Sequence, residues 1–117
     1  MKTILIIEDI EFNIDLLIQI LEDDYDLIIA RDGEQGVALA EEKKPNLILM
    51  DISLPIIDGY EASRRIHNNF PSIPIIGLSA HAMSSDSDQA IAAGCVDYLT
   101  KPVDEEILVK KITEYIG

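Results

Sequence analysis

Short apolar runs alternate with helical patterns five times along the chain, and this alternation constrains the fold more than any other feature. The runs predicted to be strands are TILIIED, DLIIA, LILMD, IPIIGLSA and VDYLTK. Each is followed by a segment whose apolar residues recur at the spacing of an amphipathic helix. Strands and helices that alternate in this way specify a parallel sheet with helices on both faces, joined by right-handed crossovers. We therefore expect a doubly wound α/β fold with five strands.

Capping residues indicate where the helices begin and end. Asp32 and Gln35 have the spacing of a capping box, as do Asp58 and Glu61. Gly94 is expected to end the fourth helix in the left-handed conformation. The predicted apolar faces of the first and last helices consist of Phe12, Leu16, Leu17, Ile20 and Leu21, and of Ile107, Leu108, Ile112 and Tyr115.

Size and charge exclude several classes of function. The length of 117 residues is close to the commonest domain size, so residues 1–117 are expected to form a single domain. The apolar runs are shorter than the roughly 20 residues of a membrane span, and acids follow the first run too closely for a signal peptide. We expect a soluble, cytoplasmic protein with no membrane partner. Nine basic and 22 acidic residues give a net charge of −13, which opposes direct binding to nucleic acid.

The sulfur and imidazole content is too low for a disulfide or a structural zinc site. Cys95 is the one cysteine of the sequence, which contains two histidines. A structural zinc ion ordinarily takes four ligands from such residues. Cys95 is therefore predicted to be a small core residue.

The third predicted strand ends in an acid. The run LILM is continuous, as expected for a strand buried on both faces, and Asp51 stands where this strand emerges. Open α/β sheets bind their ligands at the carboxyl ends of their strands. Taken alone, Asp51 fits a binding site and an ordinary turn or cap equally well.

Other polar residues end neighbouring strands. In a sheet of order 2-1-3-4-5 the ligand crevice lies between strands 1 and 3, so Glu8, Asp9 and Asp51 should converge. Two carboxylates about 4 Å apart repel by roughly 4 kcal/mol at an effective dielectric constant near 20, which favours a bound cation, and carboxylate oxygens suit Mg²⁺. Ser79 and Lys101 add a hydroxyl and a point charge for a phosphoryl group. The set predicts a phosphoryl site with Asp51 as nucleophile.

Four segments carry a family resemblance. IIED, LILMDISLPIIDG, GLSAHAM and AAGCVDYLTKP resemble the signature segments of response-regulator receiver domains of two-component phosphorelays, in the same order and with matching spacing. The resemblance implies the flavodoxin-like sheet of order 2-1-3-4-5. It also implies a signalling switch rather than an enzyme, in which Asp51 takes a phosphoryl group from a histidine kinase or a histidine phosphotransfer protein.

The resemblance assigns roles to individual residues. The implied Mg²⁺ ligands are Glu8, Asp9, Asp51 and the backbone carbonyl of Ser53. Ser79 would bind a phosphoryl oxygen, Lys101 would pair with the phosphoryl charge, and Tyr98 would move inward afterwards. Ser53 and His81 occupy positions at which the family tunes dephosphorylation. The surface of helix 4, strand 5 and helix 5 would then change its affinity for a downstream protein.

A donor helix pair is expected to dock near the start of helix 1, around Ile10, Phe12, Ile14 and Leu17. Asn13 and the segment SAHAM resemble the receivers of hybrid histidine kinases and stand-alone single-domain regulators.

The sequence departs from the common pattern at two positions without losing a required functional group. Ile10 stands where many such receivers have asparagine, and Ser79 replaces the commoner threonine.

Alternative interpretations remain open at the level of sequence. Asp9 could cap a helix, Lys101 could be solvated surface, Tyr98 could be ordinary core, and His81 could simply be exposed. A pseudo-receiver that only docks partners would keep the fold without the chemistry. A phosphatase of the haloacid dehalogenase type also uses an aspartyl nucleophile, but it needs a second aspartate where this sequence has Ser53.

Overall fold

The fold is a single five-stranded parallel sheet with strand order β2-β1-β3-β4-β5, as predicted. The computed structural model describes residues 1–54, 57–80 and 84–117. In chain order the elements are β1 (Thr3–Ile7), α1 (Glu11–Leu21), β2 (Asp26–Ala30), α2 (Gly33–Lys43), β3 (Leu47–Asp51), α3 (Gly59–Asn69), β4 (Ile75–Ser79), α4 (Ser84–Ala92), β5 (Asp97–Thr100) and α5 (Glu105–Ile116). Within the described ranges, none of the helices has the length and apolarity needed to cross a membrane.

Successive side chains of the central strands enter two separate cores, one on each face of the sheet. The core beneath α1 and α5 contains Ile4, Ile6, Leu47, Leu49, Leu17, Leu21, Leu108 and Ile112. The core beneath α2, α3 and α4 contains Leu5, Ile7, Ile48, Met50, Ala40, Ile66 and Ala90. Each fully buried leucine or isoleucine contributes roughly 1.5–3 kcal/mol of transfer free energy. Burial on both faces explains why these strands have continuous apolar sequences.

Among the residues that the structure describes, aspartate side chains cap the N-termini of three helices. The caps are Asp32 of α2, Asp58 of α3 and Asp104 of α5, whose carboxylates accept from the backbone N–H groups of Gln35, Glu61 and Ile107 at 2.7, 2.9 and 3.0 Å. Caps of this kind typically contribute about 1 kcal/mol each. Gly94, with φ of 105°, follows the end of α4, as predicted from the sequence.

The apolar faces predicted for α1 and α5 include residues that the structure leaves exposed. Phe12 is 75% exposed and Ile107 is 48% exposed, whereas Leu17, Leu108 and Ile112 are fully buried. The reason is geometric: adjacent helix positions are rotated by about 100°, so Ile107 points away from the core that Leu108 enters.

The C-terminal helix is held to β5 by polar contacts. Lys111 Nζ lies 2.9 Å from Asp97 Oδ2, and the Tyr115 hydroxyl lies 3.2 Å from the same oxygen. Burial alone would raise the pKa of Asp97, but the hydrogen bond from Lys111 and the Tyr98 backbone N–H outweigh burial and lower the pKa.

Cys95 is buried in the core, as predicted, and its thiol lies 3.5 Å from the hydroxyl of Ser63 on α3. Burial raises the pKa of the Cys95 thiol.

Candidate functional site

The predicted site residues follow the carboxyl ends of neighbouring strands. β3 ends at Asp51 and β4 at Ser79, while Glu8 and Lys101 come directly after β1 and β5. The backbone hydrogen bonds continue past the strand ends, from Glu8 N–H to Ala30 O at 2.9 Å and from Lys101 N–H to Ser79 O at 2.6 Å. Both residues are therefore positioned by the sheet itself, which places their side chains on one edge.

Lys101 forms the centre of the site. Its ammonium Nζ lies 2.6 Å from Glu8 Oε1 and 3.2 Å from Asp51 Oδ1. The Glu8 residue is fully buried and Asp51 is 2% exposed, so both ion pairs are shielded from water. An ion pair shielded in this way fixes geometry, because removing one partner leaves an uncompensated buried charge.

Glu8 also organises the start of α1. Its Oε2 accepts hydrogen bonds from the backbone N–H groups of Asp9 and Ile10, at 3.0 and 3.2 Å. Ile10 occupies the N-cap position of α1 and has no polar side-chain atom with which to cap it. The Glu8 carboxylate thus connects the first helix to Lys101.

The two buried carboxyl groups differ in acidity. Burial, followed by the hydrogen bond and the repulsion of Glu8, raises the pKa of Asp51 to about 6. Burial also acts to raise the pKa of Glu8, but hydrogen bonds from Lys101, Asp51 and the Ile10 backbone outweigh it and lower the pKa. When the pair takes up one proton, that proton therefore resides on Asp51.

Three carboxylates form a cluster that suits a hard cation. One oxygen from each of Glu8, Asp9 and Asp51 lies within 4.8 Å of the others, and Asp9 is exposed to solvent. The Ser53 N–H donates to Asp51 Oδ1 at 3.1 Å, so the chain turns back over the aspartate within two residues. An all-oxygen cluster with one open side fits Mg²⁺, which keeps several of its waters.

The remaining predicted residues lie at different depths. Ser79 is buried at the end of β4. Tyr98 is partly buried, pairs with Gly77 across β4 and β5, and packs against the core beneath α2, α3 and α4. Ser53 is exposed. His81 lies outside the described residues, so the prediction that it tunes dephosphorylation stays a prediction.

One part of the site was not identified from the sequence. A cavity of about 50 Å³ lies beside Glu8 and Lys101, with Phe12, Pro102 and Val103 in its wall. Phe12 was expected on the apolar face of helix 1 and near the docking position of the donor, but nothing in the sequence pattern indicated a cavity beside it. Pro102 and Val103 follow Lys101 in the chain and belong to the same cavity wall.

A family model and characterised relatives match nearly the whole chain. The model of the response regulator receiver domain matches residues 4–113. The polar-differentiation response regulator DivK of Brucella anthropi is 34% identical over 119 residues, which cover 99% of this chain and 97% of that protein.

Solved structures match at a similar level. The receiver domain of the sensor histidine kinase PA1611 from Pseudomonas aeruginosa PAO1, with a magnesium ion coordinated in its active-site cleft, is 36% identical with a TM-score of 0.92, covering 99% of this chain and 98% of that one. The receiver domain of the Saccharomyces cerevisiae response regulator Ssk1, crystallised with the histidine phosphotransfer signaling protein Ypd1, is 32% identical with a TM-score of 0.91, covering 97% and 88%.

Proposed function

Because this chain belongs to the response regulator receiver domain family, we propose that Asp51 accepts a phosphoryl group from a phosphohistidine and thereby switches a protein-interaction surface. The family comprises signalling switches of two-component systems rather than enzymes in the ordinary sense. The observation that carries the proposal is the contact of the Lys101 ammonium with both Glu8 and Asp51. A lysine in this position is already oriented towards the charge that a phosphoryl group would bring.

The proposed reaction is a displacement at phosphorus that the receiver itself promotes. A carboxylate oxygen of Asp51 attacks the phosphorus atom, the phosphorus–nitrogen bond of the donor phosphohistidine breaks, and the imidazole leaves with the electron pair. Lys101 would offset the negative charge of the transferring group, and the Ser79 hydroxyl would donate to one of its oxygens. The same residues would promote later hydrolysis of the aspartyl phosphate, with Ser53 and His81 setting its rate.

Magnesium is the cation that we propose for this site. Its ligands on the protein would be carboxylate oxygens of Glu8, Asp9 and Asp51 together with the backbone carbonyl of Ser53. When bound, the ion would supply positive charge that offsets these carboxylates and the phosphoryl oxygens. The relative with a magnesium ion in its active-site cleft supports this assignment, as does the all-oxygen composition of the cluster.

The proposed output is a change in the surface of α4, β5 and α5. Ser79 and Lys101 would move towards the phosphoryl group, and Tyr98 would follow into the space released. This surface carries Ile91, Val96 and Ile107, which are exposed and apolar. Such residues suit contact with a downstream protein partner.

We propose that the donor docks beside the site, on the start of α1. Ile10 and Phe12 are exposed there and accessible to a donor, whereas Ile14 and Leu17 are buried and only support the helix. A histidine kinase or histidine phosphotransfer protein is the proposed donor, by analogy with the complex of Ssk1 and Ypd1. We further propose that residues 1–117 act as one domain in the cytoplasm, without direct contact to nucleic acid or membrane.

The first test is the intact mass of the protein after incubation with acetyl phosphate and Mg²⁺. One phosphoryl adduct is expected for the unmodified chain. The control variant Asp97→Asn, which removes a carboxylate outside the site, should form the same adduct. The adduct should be absent from Asp51→Asn and from samples treated with a chelator.

Two results would contradict the proposal. A folded, Mg²⁺-binding protein without an adduct would be a pseudo-receiver that only docks partners. Steady release of phosphate from many donors would instead favour a phosphatase.

A further inference from the structure

The first turn of α2 lies against the connection that follows Asp51. A Cβ atom built on Gly33 would be 2.2 Å from the backbone oxygen of Ile57 and 3.1 Å from its backbone carbonyl carbon. Non-bonded carbon and oxygen atoms do not approach below about 3.3 Å even in favourable C–H···O contacts. Because the obstacle is backbone, no side-chain rotation can relieve it, and only glycine fits at this position.

The start of α2 forms a firm support for this contact. The Asp32 carboxylate accepts from the Gln35 N–H at 2.7 Å, and Gln35 Oε1 accepts in turn from the Arg31 N–H at 2.6 Å. The Gly36 N–H donates to the Asp32 carbonyl at 3.0 Å. These hydrogen bonds hold the first turn of α2 in one conformation, so Gly33 cannot move away from Ile57 by rearranging that turn alone.

Ile57 is connected to the acceptor by a second close approach. Two residues after it, the Gly59 N–H donates to the Ile52 carbonyl at 2.9 Å. A Cβ atom on Gly59 would be 2.4 Å from the backbone carbonyl oxygen of Asp51 and 2.5 Å from the Cα atom of Ile52. The chain therefore returns to contact the backbone of Asp51 itself, and a displacement of Ile57 reaches Asp51 through only two intervening residues.

We infer that Gly33 is a positioning residue for phosphoryl transfer, which holds Asp51 in place through Ile57 although α2 contributes no group to the reaction. The inference rests on the proposed function of Asp51 and deepens it. In physical terms, the start of α2 fixes the position of Ile57, and the start of α3 fixes the backbone of Asp51 and Ile52. The predicted consequence is that a methyl group at position 33 changes metal binding and transfer at a site that it does not touch.

The test compares Gly33→Ala with Gly36→Ala, one turn further along the same helix. The three atoms nearest to a Cβ atom on Gly36 would all belong to the Ile7 side chain, the closest being Cδ1 at 2.5 Å. Ile7→Val removes that atom, so the double variant Gly36→Ala/Ile7→Val should regain part of the thermal stability lost by Gly36→Ala, while the Cγ1 and Cγ2 atoms at 2.9 and 3.0 Å still have to shift. Ile57→Ala should give no such recovery to Gly33→Ala, because the obstructing carbonyl remains.

Function is then measured on the folded fraction of each variant. Gly33→Ala is expected to weaken Mg²⁺ binding about tenfold and to slow adduct formation from acetyl phosphate by about 10- to 100-fold, the loss typical of a misplacement near 1 Å. Gly36→Ala should match the unmodified protein in both quantities. Equal Mg²⁺ affinity and equal rates in the two glycine variants would overturn the inference.

A measurement on the unmodified chain covers the case in which Gly33→Ala does not fold. In an amide NMR titration with Mg²⁺, the Gly33 signal should shift with the same dissociation constant as the site, and the Gly36 signal should stay in place. A stationary Gly33 signal would refute the inference. Failure of the proposed function has a different signature, since the unmodified protein would then form no adduct whatever Gly33 does.

Discussion

At the level of single residues, the site buries the carboxyl groups of Glu8 and Asp51 and places the ammonium group of Lys101 in contact with both. Burial acts to lower the pKa of Lys101, but its contacts with Glu8 and Asp51 outweigh burial and raise the pKa. Lys101 therefore stays charged at all ordinary pH values. Asp51 is less fully compensated, because Lys101 is closer to Glu8 than to Asp51.

Asp51→Asn is predicted to stabilise the protein at neutral pH in the presence of a chelator. The folded-state pKa of Asp51 is raised to about 6 from its ordinary value of 3.8, so its contribution to stability is complete below about pH 3.8 and is lost as the pH rises through 6. Asparagine resembles the protonated acid. Its advantage in the free energy of unfolding should be small at pH 4 and reach about 3 kcal/mol above pH 7.

Urea unfolding at several pH values measures this difference, and Asp97→Asn provides a control with the opposite sign. The pKa of Asp97 is lowered, so its contribution is present above its unfolded-state pKa and is lost as the pH falls through the folded-state value. Asp97→Asn should therefore destabilise the protein at neutral pH. A stability difference for Asp51→Asn that does not change with pH would contradict the assignment of the raised pKa.

At the level of elements, the order of strands and helices followed from the sequence, but the direction of some side chains did not. Strand ends fix where Glu8 and Asp51 lie, because a parallel sheet brings its carboxyl ends to one edge. Phe12 and Ile107 belong to apolar patterns wider than the space beneath their helices, and the pattern alone does not say which members remain outside. Likewise, the contact of Gly33 with Ile57 depends on how closely α2 approaches the residues just before α3, which the sequence pattern does not encode.

The exposed face of α1 leads to a prediction about the donor. The quantity to compare is the rate of transfer from a phosphorylated histidine phosphotransfer protein divided by the rate of transfer from acetyl phosphate. Phe12→Ala should lower this ratio about tenfold. Losing a large apolar contact at an interface centre typically costs more than 1 kcal/mol, and 1.4 kcal/mol corresponds to a factor of ten. Both rates are followed by the radioactive or mass-detected adduct on Asp51.

Ile91→Ala is the matched control for Phe12→Ala, since it removes an exposed apolar side chain from α4 instead of α1. The ratio should be unchanged in this control. An equal ratio in both variants would show that the donor does not use the start of α1.

At the level of the whole molecule, the net charge of −13 acts against the compact state through self-repulsion. NaCl should raise the thermal unfolding midpoint of the unmodified protein and of Asp9→Asn alike, because screening does not depend on a particular site. At constant ionic strength, replacing NaCl by MgCl₂ should add a further increase in the unmodified protein and a much smaller one in Asp9→Asn, because binding to the folded state stabilises it.

Circular dichroism melting curves separate the two contributions. If Mg²⁺ raised the midpoint of Asp9→Asn as much as that of the unmodified chain, the ion would be acting by screening or at another place. If NaCl alone lowered both midpoints, the global repulsion would not be the dominant long-range effect.

The ion pair between Lys101 and Glu8 has a consequence for how the protein is made. A site of clustered acids without an internal cation would leave newly synthesised chains dependent on a supply of metal to complete their fold. Here Lys101, directly after β5, places its ammonium group beside the carboxylate of Glu8, directly after β1, so the chain carries its own cation in the folded site. Folding would then not depend on magnesium, whereas activity would. A cell short of magnesium would still accumulate folded receivers, and these would become competent when the ion returns.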